Sequence, residues 1–200
     1  MNRALKLGIG LCCVMGGTVL LSAAPAPVFE RRPFLEEYVD ADTGVRLPPR
    51  IGNYRKNEVV KNFNPLIGTV IRYADPQGNC ADIYIYSLDS TNQVVSEKAA
   101  LTHFREIKQA IENLPKRLGH VKEVQALGEE ALRCPPKVAG RCATFRLNII
   151  GELRISELAV FPFRQKIIKI RASTSPCSSK EEFHYADFLK TVCEAFNAVK

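Results

Sequence analysis

Contiguous catalytic signatures are missing from this chain. Its 200 residues contain no G-x-S-x-G nucleophile elbow, H-E-x-x-H helix, phosphate-binding P-loop or dinucleotide fingerprint, which removes the enzyme classes legible from short motifs. No two of the seven cysteines stand at C-x2–4-C spacing, and His103, His120 and His184 follow no matching pattern. Neither a zinc site nor a C-x-x-C redox pair is therefore encoded locally, and no metal or cofactor is expected. Like charges never run to five in a row and no arginine-rich block occurs, so the basic excess does not form a nucleic-acid tract. Internal repeats and low-complexity segments are absent as well.

What is present begins with an export address. Arg3 and Lys6 form a short basic segment, Leu7 to Leu21 is uncharged and mostly apolar, and Ser22-Ala23-Ala24-Pro25-Ala26 supplies small residues for cleavage after Ala23 or Ala24. Residues 1–26 read as a secretory signal peptide. The alternative is retention as an inner-membrane anchor over residues 7–24, close to the minimum of about 17 residues for a span. Cys12 and Cys13 lack a leucine-headed lipobox and leave with the leader. The destination is the periplasm or the medium.

Roughly 175 residues remain, one domain with a full core. The formal charge of +7 falls by two, to +5, once Arg3 and Lys6 are removed. That excess suits an envelope protein, a cell-wall polymer or another anionic surface as partner, and nucleic acid is not expected. Five cysteines stay behind. Cys134 and Cys142 flank Pro135, Pro136 and Gly140, the pattern of a hairpin closed by a disulfide near its base. Cys177 and Cys193 form the second expected pair. Cys80 is left as a thiol unless it captures Cys177 or Cys193, or joins two molecules.

The periodicity divides the mature chain in two. Residues 27–50, rich in proline and mixed charge, read as a flexible or extended linker. Residues 51–200 read as one α+β domain. Tyr54–Phe63, Thr69–Tyr73 and Ala81–Tyr86 carry strand patterns separated by Pro65–Gly68 and Asp75–Asn79 turns. Ser96–Leu114 repeats apolar residues at helical steps, with Ser96 as cap and Pro115 as stop. Val121–Arg133, Arg141–Ile149, Leu153–Phe163 and Lys166–Ala172 are further strands, with Pro162 implying an edge position or a bulge. Ser178 opens a second helix that runs through Phe196. The expected fold is an antiparallel β-sheet with two long helices packed against it.

Leu47-Pro48-Pro49-Arg50-Ile51-Gly52-Asn53-Tyr54, the Ala81–Tyr86 strand, the long helix after it and the phenylalanine-bearing last helix resemble small exported bacterial proteins of unknown function. Their element order is similar to the PsbP-like α/β/α sandwich of DcrB-type periplasmic proteins, over about Val45 to Lys200. The resemblance implies a binding or scaffolding role and carries over no catalytic residue.

Alternation in the Ala81–Tyr86 strand puts Asp82, Tyr84 and Tyr86 on one face, where a carboxylate beside two phenols forms the candidate ligand surface. Arg146, Arg154, Lys169 and Arg171 are candidates for a basic stripe across the later strands. His103 falls off the apolar stripe of its helix and is expected to face solvent. The function expected is a non-catalytic binding or accessory role in the cell envelope. The alternative is an envelope hydrolase whose site is assembled from distant residues. Fusing residues 1–26 to a reporter active only outside the cytoplasm should give an active reporter. A fusion that is made but stays silent would refute export.

Overall fold

The computed structural model describes residues 28–29, 36–62, 64–89, 93–134, 138–175 and 185–199. Residues 1–26, expected to be a signal peptide, lie outside them. Among the described residues no helix is long and apolar enough to cross a membrane.

The first meander of the main sheet is three antiparallel strands, β5 (Tyr54–Lys61), β6 (Thr69–Ala74) and β7 (Cys80–Tyr86). Their turns are enforced by polar side chains. Asp75 accepts the Asn79 backbone N–H at 2.9 Å and its side-chain amide at 2.7 Å, while Asn79 accepts Ser175 N–H at 2.8 Å. The β6–β7 turn is thereby fastened to the end of a strand nearly a hundred residues later.

After β7 the chain crosses one face of the sheet as α1 (Glu97–Glu112). Ser96 caps it, its hydroxyl accepting Ala99 N–H at 3.1 Å, and Ala100, Phe104 and Ile111 are the buried stripe. Pro115 does not end the helical path. It sits in the first turn of α2 (Leu114–Arg117), where a missing N–H costs nothing. Four antiparallel strands follow: β8 (Val121–Cys134), β9 (Val138–Ile149), β10 (Glu152–Phe163) and β11 (Lys166–Ser173). The last helix is α3 (Tyr185–Asn197).

β11 pairs with β7, so both strand sets fuse into one sheet of order β5-β6-β7-β11-β10-β9-β8. Short strands β1 (Val28–Phe29) and β4 (Arg50–Ile51) pair with β5. The helices cover opposite faces. α3 packs Phe188, Val192 and Phe196 on Ile71, Ile83 and Ile170, while α1 packs Phe104 and Ile111 on Phe145, Leu158 and Val160. The result is α+β and mostly antiparallel, with three helices among the described residues, of which only α1 and α3 are long.

Several expectations change. Residues 36–50 are not a loose linker: β2 (Tyr38–Val39) and β3 (Arg46–Leu47) form a hairpin whose Tyr38, Val45 and Leu47 are fully buried. Asp40 organises it, accepting from Thr43 N, Thr43 Oγ1 and Tyr38 OH. Pro162 lies on an interior strand. It is tolerated because the β9 ladder stops at Val160, leaving Pro162 paired only with Ile167 on β11.

The Cys134–Cys142 bridge is also corrected. The β8–β9 register differs from the one the cysteine spacing implies, since Cys134 pairs with Val138 and Cys142 lies opposite Glu130. Four residues of strand separate the two cysteines by about 13 Å, beyond the roughly 7 Å a disulfide spans. Cys142 is a buried free thiol beside Glu130, and burial together with that carboxylate pushes its pKa up to about 12. Cys80 and Cys193 are each held in a disulfide, so the free thiol among the described residues is Cys142 and not Cys80. Cys177 lies outside the described residues. In the native protein Cys142 should resist alkylation at neutral pH and react fully after unfolding. Recovery of a disulfide-linked Cys134–Cys142 peptide would contradict this register.

Candidate functional site

β7 delivers the three sequence-picked residues to different fates. Asp82 is only 1% exposed, between its cross-strand neighbours Arg72 on β6 and Arg171 on β11. Tyr84 donates to its carboxylate at 3.3 Å. Arg171 donates through Nε to Ser156 Oγ at 2.8 Å, and burial draws its pKa down to about 10, leaving it charged at neutral pH. Asp82 therefore serves the sheet as a buried carboxylate between guanidinium groups and does not present itself to a ligand. Lys169 sits 3.7 Å from the Tyr84 ring centroid and 5.8 Å from that of Tyr86, a cation over two phenols. The expected basic stripe is broken: Arg154, Lys169 and Arg171 share a face by register, but Arg146 points to the opposite one.

Tyr86, at the end of β7, does reach a site. A groove of about 670 Å³ opens where β7 meets the start of α1. Leu66, Leu88 and Ala99 give it apolar walls; Ser87, Ser96, Lys98 and Thr102 add polar groups. The Leu66 wall is held by a tight loop in which Ser87 N–H donates to Pro65 O at 2.9 Å and Gly68 N–H to Asn64 O at 2.9 Å. Gly68 is required there. Its φ is +65°, and a Cβ would lie 2.0 Å from the Ile85 carbonyl oxygen.

On the helix side, His103 and Glu106 face Tyr86. Tyr86 OH and His103 Nε2 are 2.7 Å apart, and His103 Nδ1 lies 3.2 Å from Glu106 Oε2. The carboxylate only accepts, so the proton of the neutral imidazole resides on Nδ1 and Nε2 accepts from the phenol. Burial holds the Tyr86 proton firmly on its oxygen. Burial is also the largest influence on His103 and lowers its pKa, aided by Lys169 and opposed by Glu106. His103 is thus not the solvent-facing histidine expected from its helix. Ala99, His103 and Glu106 form a second stripe along α1 beside the apolar one, and that stripe was the signal available in the sequence.

A second polar chain ends at the groove. Lys166 Nζ donates to Ser87 Oγ at 3.3 Å and pairs with Asp42 at 2.7 Å. Each titratable group in these two chains is thus engaged by a neighbour. Among the described residues no group of three or more potential metal ligands converges.

Neither a protein-family model nor a curated protein matches the chain. Among solved structures it is similar to the solution structure of PsbP (CyanoP) from the cyanobacterium Synechocystis sp. PCC 6803, at 14% identity and a TM-score of 0.48, covering 82% of this chain and 89% of that one. It is also similar to a point mutant of the protein Mog1, at 12% identity and a TM-score of 0.38, covering 80% and 87%.

His103 makes stability depend on pH. Its folded pKa lies below the unfolded value of about 6.5, so the unfolded chain takes up a proton first as the pH falls. Stability present above about pH 6.5 is lost below it, until the folded histidine also protonates. The denaturation midpoint of the wild type should therefore fall more between pH 7.5 and 5 than that of His103→Gln. Equal slopes would contradict the buried neutral assignment.

Proposed function

We propose that the chain is an exported envelope protein with a non-catalytic binding role, and that its ligand occupies the groove between β7 and α1. The observation carrying this reading is the groove itself, whose volume of about 670 Å³ falls within the range of small-molecule sites and whose walls combine apolar surface with a few polar groups. The export leader and the sequence resemblance to DcrB-type periplasmic proteins point the same way.

The hydrolase alternative needs a nucleophile poised against a base. Ser87 is the only aliphatic hydroxyl of the groove that contacts a basic side chain among the described residues, and that side chain, Lys166, is already paired with Asp42. His103 directs its acceptor nitrogen at the Tyr86 phenol rather than at a serine. These contacts favour binding over turnover.

Protein recovered from the envelope of its host should carry a small-molecule adduct in native mass spectra, and Thr102→Trp, which fills the groove from the exposed side of α1, should lose it without loss of folding. An adduct retained by that variant, or adduct-free wild type, would overturn the reading. Hydrolysis of ester, peptide or glycoside substrates abolished by His103→Gln would establish the alternative.

A further inference from the structure

Cys80 and Cys193 are each held in a disulfide, but not with one another. Cys80 opens β7 in step with Asp82, Tyr84 and Tyr86, on the α1 side of the sheet, whereas Cys193 is 1% exposed in the core that α3 builds on the other side. The two also lie at different heights. Phe188 packs on Tyr54 and Tyr73, at the end of the sheet where Cys80 pairs with Ala74 and Ser173. Cys193 stands five residues further along α3, about 7.5 Å, towards the end where Phe196 meets Phe161 and Phe163. A packed sheet therefore separates the two residues.

Cys142 is a free thiol, and Cys12 and Cys13 belong to the leader, so the partners are Cys134 and Cys177. The sheet decides which goes where. Cys134 ends β8, four strands from β7 in the order β7-β11-β10-β9-β8, a separation of about 19 Å against the roughly 7 Å that a disulfide spans. Cys80 is out of its reach. Cys80 does lie opposite Ser173, Asn79 accepts the Ser175 N–H at 2.8 Å, and Cys177 follows Ser175 by two residues, a tether of about 7 Å. That leaves Cys134 for Cys193. α3 lies against β8, and Leu132, two residues before Cys134 on that strand, shares a core with Cys193.

We infer that the mature protein carries two disulfides, Cys80–Cys177 and Cys134–Cys193, in place of the Cys177–Cys193 pair expected from the sequence. The first fastens the chain leaving β11 to the start of β7, and the second fastens α3 to the edge strand β8. Each bond forms as two thiols give up two protons and two electrons to a disulfide donor of an oxidising compartment, which leaves as a dithiol.

Trypsin leaves each cysteine of the mature chain on its own peptide. The purified mature protein, treated with N-ethylmaleimide in denaturant without reductant and then digested, should yield Tyr73–Lys98 joined to Ala172–Lys180, and Cys134–Lys137 joined to Thr191–Lys200. Cys142–Arg146 should carry the only alkyl group. Cys134→Ser should release one further thiol, at Cys193, and leave the Cys80–Cys177 pair intact. Cys142→Ala, which removes the one thiol able to exchange with the bridges, should give the wild-type pairs. Protein made in the cytoplasm and oxidised with glutathione disulfide should give the same map, which separates the pairing from export. A Cys177–Cys193 or Cys80–Cys193 linkage, or alkylation of Cys80 or Cys134 in the exported wild type, would overturn the inference.

Discussion

Pairing of β7 with β11 is the constraint on which the other features depend. The two strands run antiparallel from Cys80 opposite Ser173 to Tyr86 opposite Ile167, and they join the β5–β7 meander to the β8–β11 meander. Side chains alternate along this seam. Ile83, Ile85, Ile168 and Ile170 point to the α3 side, while Tyr84, Tyr86, Ile167 and Lys169 point to the α1 side. A slip of one residue would send four isoleucines to the wrong face, so burial of about 1.5–3 kcal/mol per side chain fixes the register strongly.

That register also determines the polar chemistry. It places Asp82 between Arg72 and Arg171, and Lys169 against Tyr84. A carboxylate this deeply buried is tolerated only with compensating charge and hydrogen bonds, the charge here standing on the flanking strands as Arg72 and Arg171 and the hydrogen bond coming from Tyr84 on its own strand. At the opposite end of β7 the register sets Tyr86 beneath α1, where its phenol finds the His103 acceptor. One strand thus ends in a stabilising ionic cluster on one side and a groove wall on the other.

The sequence revealed most of the elements because their periods were clear: strict alternation in β7 and β9, and three- and four-residue steps in α1. It also set Asp82, Tyr84 and Tyr86 on one face. It could not reveal which of the three stays accessible, because that depends on the strands alongside β7, and β11 comes from a segment about ninety residues later. Cys142 was misjudged for a related reason. Cys134 pairs with Val138 rather than with Cys142, and a four-residue difference in register converts a bridge into an isolated thiol. The buried 36–50 hairpin was hidden by its prolines and charges, which mask an apolar set of only Tyr38, Val45 and Leu47. The stripe that carries His103 was legible along α1, but its meeting with Tyr86 was not, because that is a contact between elements that no helical period contains.

The groove exists because the seam holds Tyr86 and the Gly68 loop in place while α1, leaving β7 through Ser96, crosses to the other half of the sheet. Residue-resolved hydrogen exchange of the native protein tests that dependence directly. The amides of Ile83, Ile85, Ile168 and Ile170 lie on strands paired on both sides, and should exchange slowest of all and only through global unfolding. Seam amides that exchange as fast as loop amides, with the two meanders opening at different free energies, would contradict the account.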